Sequence, residues 1–220
     1  KIFIFRNYIY IIIWYKLMRN SSFELVPLCA KEFLYYYKNI KNASTKTVNE
    51  YYLDLKLFFK FIKLQFDKFN FNSSDADTIK ELLNNCDPSD LTINQISDIK
   101  LINIYQFLSY CSDIRLDSVS TRCRKTSCIK SFFKYLFIQG YIGNNPTEYL
   151  SLPKKQKSLP YFLSLDQSIK LLESIDGKNK IRNFAIITLF LNCGMRLSEL
   201  VGLNLSDING NSLRLKGKGN

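Results

Sequence analysis

Residues 193–203 read Cys193-Gly194-Met195-Arg196-Leu197-Ser198-Glu199-Leu200-Val201-Gly202-Leu203, and the chain then runs through Asn209-Gly210 to Lys216-Gly217-Lys218-Gly219-Asn220. The preceding stretch, 181–191 (IRNFAIITLFL), is apolar almost throughout and predicts a buried helix. Asn192-Cys193-Gly194 should end it, because glycine accepts the left-handed backbone that closes many helices. A short helix is expected over about 197–202, with Glu199 three residues past Arg196 on one face. Asn209-Gly210 is a strong hairpin signal, and Leu213 and Leu215 alternate beyond it. An arginine just past a helix-ending glycine is thus followed by a hairpin and by a lysine in a Gly-Lys-Gly loop.

Working back toward the N-terminus, Ser164 and Gln167 form a capping-box pattern for a helix over 165–175, with Gly177 after it. Residues 153–160 (PKKQKSLP) combine two prolines with three lysines and show no apolar period. They read as a semi-extended linker. The stretch 153–163 could reach about 35 Å, enough to pass around one side of a duplex. Before it, a helix over 118–138, opened by Ser118 or Ser120 and ended near Gly140, carries an apolar stripe of Ile129, Phe132, Phe133, Leu136 and Phe137. Arg122, Arg124, Lys125, Lys130 and Lys134 are its basic residues. Short helices are expected over 101–110 and within the acidic stretch 67–98, the latter on the side away from any DNA. From Ser44 or Thr45 onward, Val48, Tyr51, Tyr52, Leu55, Phe58, Phe59 and Ile62 recur at helical steps. Lys56, Lys60 and Lys63 share another arc of that helix. A further helix is expected over 25–40.

The 220 residues are 46% hydrophobic and 23% charged, a globular balance that supports real cores. The net charge of +12 favours a polyanionic partner, through counterion release from nucleic acid. AT-rich coding bias is the competing source, because it inflates Lys, Asn, Ile, Tyr and Phe whatever the function. None of the six cysteines forms a CxxC pair, and with no histidine in the chain no zinc site is expected. Free thiols in a reducing cytoplasm are the expectation. The apolar run 7–15 (NYIYIIIWY) is too short to span a bilayer, which needs about 20 residues. We expect translation to begin at Met18 and residues 1–20 to be a non-native upstream segment; an interfacial membrane anchor is the alternative.

Together these motifs resemble the tyrosine recombinases of the Xer and phage-integrase type. The likeness runs over about 21–220. The Thr47-x-x-x-Tyr51-x-x-Asp54-Leu55 opening is similar to an early helix of the family's core-binding domain. The helix 122–135 with its Asn145-Pro146 exit is similar to that domain's last DNA-facing helix. The stretch 152–160 is similar to the interdomain linker. The acidic stretch is longer than in compact Xer proteins. The resemblance implies a mainly α fold: a SAM-like helical core-binding domain at 21–150, a basic linker at 151–163, and part of the helical, small-sheet catalytic domain at 164–220. It implies DNA cutting and rejoining through a 3′-phosphotyrosyl intermediate, with no metal and no cofactor. Arg196 matches the first catalytic arginine, which donates two hydrogen bonds to the phosphate. Lys218 matches the lysine that protonates the leaving oxygen. Glu199 would hold Arg196 in place.

The DNA-binding residues expected are Lys56, Lys60, Lys63, Arg122, Arg124, Lys125, Lys130 and Lys134, with Lys154, Lys155 and Lys157 on the linker. Double-stranded DNA and further recombinase protomers are the expected partners, with no membrane. The resemblance also implies a distal His/Lys-x-x-Arg, a second histidine or tryptophan, and a tyrosine nucleophile. No residue after Lys218 supplies these, so the sequence reads as a C-terminally truncated piece that binds DNA without cutting it. A non-catalytic helical DNA-binding protein is the alternative. Another is a structural helical protein whose charge reflects coding bias; in that case Arg196 and the helix lysines are ordinary solvated side chains.

Overall fold

A computed structural model describes residues 23–69, 71, 75–154, 161–210 and 212–215. The chain divides into two units, Lys1–Gln156 and Lys157–Asn220. Among the described residues of the first, six helices follow one another: α1 Leu28–Asn39, α2 Thr45–Phe66, α3 Ala76–Asn85, α4 Ile93–Ser97, α5 Leu101–Asp113 and α6 Val119–Ile138. The second holds α7 Leu165–Glu173, α8 Lys180–Cys193, α9 Leu197–Val201, a 3-10 turn at Leu205–Asp207, and strands β1 Ile208–Asn209 and β2 Ser212–Leu213. The protein is mainly α, as the sequence predicts.

The first unit is built on α2 and α6, with α1 packed on both. Their apolar stripes meet in an aromatic core. Phe33, Phe58, Phe59, Phe107, Phe132 and Phe133 are fully buried. Phe33 and Phe59 each meet Phe132 edge-to-face, at ring-centroid separations of 5.5 and 5.4 Å. Phe58 meets Phe107 of α5 in the same way at 5.2 Å. This arrangement sets the positive ring edge of one against the negative face of the other.

Helix starts follow local chemistry. Ser44 caps α2 by accepting from Thr47 N, and Ser118 caps α6 by accepting from Thr121 N. Thr92 and Gln95 complete a capping box on α4, and Ser164 and Gln167 one on α7. The first helix begins at Leu28 rather than at 25. Pro27 forces its predecessor Val26 away from helical backbone, and the proline carbonyl then accepts from Ala30 N and Lys31 N.

In the second unit the hairpin register is Ile208↔Leu213 and Asn209↔Ser212. Asn209 is therefore a strand residue, and the turn opens at Gly210, with φ +57°. The expectation of a buried helix over 181–191 is overturned. No residue of α8 is buried, and Ile181 is 88% exposed. The helix is apolar nearly all round, while within its unit the nine-residue α7 covers only one side.

Candidate nucleic-acid interface and catalytic residues

Arg196 stands at the first turn of α9, and the local backbone explains how it is presented. Gly194 takes left-handed backbone, φ +58°, and donates to Phe190 O, closing α8. The buried Met195 follows. Arg196 is then extended and accepts at its own carbonyl from Glu199 N and Leu200 N. Glu199 folds back on it twice: Arg196 N donates to Oε2 and Arg196 Nη1 to Oε1, each at 2.7 Å. The backbone donor is the larger cause, and the guanidinium the next, that holds the Glu199 carboxyl below its usual range. The Arg196 side chain stays 75% exposed, whereas that of Glu199 is 10% exposed. One guanidinium edge is thus fixed by a carboxylate while the rest faces solvent. Beyond it, the buried Asp207 accepts from Asn204 N, and its carbonyl from Arg214 N, tying the hairpin to the turn before it. Lys218 lies outside the described residues, as do Lys155 and Lys157.

The basic residues of the first unit separate into two groups. Four of the expected DNA-facing side chains are occupied by the protein itself. Lys60 is buried and donates to Leu83 O at 2.6 Å and Asn84 O at 3.0 Å, at the C-terminal end of α3. Lys63 donates to Asp87 O and pairs with Asp90 at 2.5 Å. The acidic stretch therefore does not lie apart from the lysine arc of α2. It packs on that arc, because the last carbonyls of a helix and nearby carboxylates attract ammonium groups.

Arg124 and Lys125 both turn inward to the buried Asp54, at 2.5 and 3.2 Å. Arg124 also meets Glu50 at 2.9 Å, and Lys125 approaches Asp117 at 3.7 Å, which in turn lies 3.6 Å from Arg115. A chain of alternating charges thus runs along the α2–α6 seam. Burial raises the Asp54 carboxyl above its ordinary range, while Lys125 and then Arg124 pull it back. Lys125 is a core cation and not a surface one.

The remaining described candidates differ in how far they are available. Lys134 and Lys154 are exposed, and Arg122 is half-buried with no hydrogen bond at Nε. Lys130 is half-buried and donates to Leu150 O, clamping the chain that leaves α6. Lys56 lies 5.7 Å over the Tyr52 ring. Sequence periodicity missed Lys80 and Arg115, which flank Lys56 and Lys60 around one small recess. No periodic pattern links them, because they come from different elements. Among the described residues no cluster of His, Cys, Asp and Glu could hold a metal, and all six cysteines are free. No helix among the described residues is long and apolar enough to cross a membrane.

No family model matches the chain. Curated relatives do. Over most of its length the chain is similar to members of the tyrosine recombinase family. It is 42% identical over 195 residues to tyrosine recombinase XerC of Caldanaerobacter subterraneus, covering 88% of this chain and 53% of that protein. To tyrosine recombinase XerC of Thermodesulfovibrio yellowstonii it is 32% identical, over 92% of this chain and 56% of that protein. The chain thus spans about half the length of the curated relatives it matches. Among solved structures, the integrase from mycobacterium phage Brujita overlaps 87% of this chain and 54% of its own, at 19% identity and a TM-score of 0.38.

Proposed function

We propose that the protein to which this sequence belongs is a cytoplasmic site-specific recombinase that cuts and rejoins duplex DNA through a 3′-phosphotyrosyl intermediate. The observation that carries this reading is Arg196. It follows a helix-closing glycine, and Glu199 holds it with most of its guanidinium free, in a chain that is 42% identical to XerC over 195 residues. In this role Arg196 donates to the non-bridging oxygens of the scissile phosphate, where charge gathers in the transition state. Glu199 is a positioning residue. Lys218 gives its proton to the leaving 5′-oxygen as a tyrosine oxygen bonds to phosphorus. By the family resemblance, that tyrosine lies in the part of the relatives' length that this chain does not span.

The proposed organisation is a core-binding region at 21–150, a linker at 151–163 and a catalytic region from 164. The division of the chain between Gln156 and Lys157 falls within that linker. DNA would be gripped by the cations the fold leaves available, Arg122, Lys134, Lys154 and Lys56, together with Lys155 and Lys157, which lie outside the described residues. Lys60, Lys63, Arg124 and Lys125 support the scaffold instead. Further protomers on the same DNA complete the proposal.

Two measurements test it. The 220-residue chain should shift duplex DNA in a gel, with log K falling by about 0.9 per log salt for each phosphate contact. In a protein that joins this sequence to the remainder of the relatives' length, Arg196→Ala should lower covalent adduct on a nicked suicide substrate by roughly 10²–10³-fold. A salt-independent shift, or unchanged adduct in the variant, would remove the reading.

A further inference from the structure

At the junction of α2, α3 and α5 lies a recess of about 160 Å³ whose lining includes Lys56, Lys60, Lys80 and Arg115 and no carboxylate. Four cations from three parts of the chain converge there, Lys56 and Lys60 from α2, Lys80 from α3 and Arg115 from just past α5. The acids nearest to Lys80 in sequence, Asp77 and Glu81, do not line it. Lys60 is 7% exposed and spends two of its three N–H donors on Leu83 O and Asn84 O, leaving one free. Arg115 is held by a hydrogen bond with Tyr110, whose ring closes one wall, and lies 3.6 Å from Asp117 outside the recess. Burial first, and the neighbouring Lys56 second, lower the Lys60 ammonium below its ordinary range, while Cys86 and then Asp87 act the other way. Positive charge is therefore crowded in a partly desolvated hollow.

We infer that this recess is a phosphate-binding subsite. Ligand pockets for whole small molecules are commonly about 300–1,000 Å³, so this one suits a single phosphoryl group and not a nucleoside. A tetrahedral phosphate, dianionic when free and monoanionic in a DNA backbone, presents acceptor oxygens in several directions and can meet cations on different walls at once. A planar monoanionic carboxylate meets fewer of them. Lys80 belongs to the acidic stretch, so that segment supplies one wall of a basic site. The inference rests on the recess itself and not on the recombinase reading. The phosphate would come from a DNA backbone or from free phosphate in solution.

The test is isothermal titration of the 220-residue chain with inorganic phosphate at matched ionic strength. Saturable binding with one site per chain is expected. The Lys80→Gln/Arg115→Gln double variant, which leaves the Lys60 contacts to α3 untouched, should weaken it by roughly tenfold or more. The equal charge change Lys38→Gln/Lys46→Gln, at two exposed lysines away from the recess, should leave it as it was. If the double variant loses helical circular dichroism, Lys56→Gln takes its place. Absence of saturable binding overturns the inference, and so does equal loss in the control variant. Duplex DNA then separates the sources. If the backbone fills the recess, Lys80→Gln lowers the salt slope of DNA binding by about 0.9. If phosphate affinity falls while that slope stays, the recess takes free phosphate. Should the wild-type chain fail to bind DNA while still binding phosphate, the recombinase proposal falls and the recess stands.

Discussion

Asp54 is the residue on which the first unit turns. It is 1% exposed, and it is the shared partner of Arg124 and Lys125 across the α2–α6 seam. Asp54→Ala leaves the Lys125 ammonium buried beside only the more distant Asp117. Breaking a buried pair of this kind costs about 3–5 kcal/mol, which urea unfolding at neutral pH should reveal. The pH dependence has a definite sign. Because burial raises the folded-state value, the protonated carboxyl is the better tolerated form. The added stability of the protonated form is fully present below the ordinary aspartate value of about 3.9 and is lost as pH rises through the raised one. Urea midpoints should therefore shift in favour of wild type over Asp54→Asn as pH falls across that window. Residue by residue, the sequence is legible where partners are local. Arg196 and Glu199 are three positions apart, and their pairing follows from helix geometry. Lys60 and Lys125 find their partners 23 and 71 residues away. Nothing in a periodic pattern tells a lysine bound for a distant carbonyl from one bound for water.

At the scale of elements, helix ends are well written in the chain because caps are local hydrogen bonds. Ser44, Thr92, Ser118 and Ser164 all cap through the third residue on. The placement of α3 is not so written. Its amphipathic pattern says that it packs, but only the folded structure sets its C-terminus on Lys60 and the segment after it on Lys63. Lys60→Met keeps the side-chain stem and removes both hydrogen bonds to Leu83 O and Asn84 O. The expected loss is roughly 2 kcal/mol, the scale of hydrogen bonds to charged groups. Hydrogen exchange should quicken at the last turn of α3 while the α2 amides beside Phe58 and Phe59 keep their protection. Equal acceleration in both helices would mean that the lysine anchors the whole unit and not α3 alone.

Taken whole, the molecule joins two units of unequal completeness. The first has a contiguous aromatic core. In the second, Met195 and Asp207 are the only buried residues among those described, and Ile181, Phe184, Leu191, Leu197 and Val201 face outward. Exposed apolar area on that scale marks a surface that meets other protein. A polypeptide of residues 157–220 should bind a hydrophobic dye and self-associate in light scattering, while one of residues 18–156 should do neither. The seam between α2 and α6 has a further consequence, for the order of events at the ribosome. The Asp54–Arg124 pair joins positions 70 apart, and Phe59 waits on Phe132. The Phe59 face of the emerging α2 therefore lacks its α6 partner until α6 has been made. Nascent chains stalled after residue 113 should remain open to protease, and chains extended past 150 by enough residues to clear the exit tunnel should close in one step.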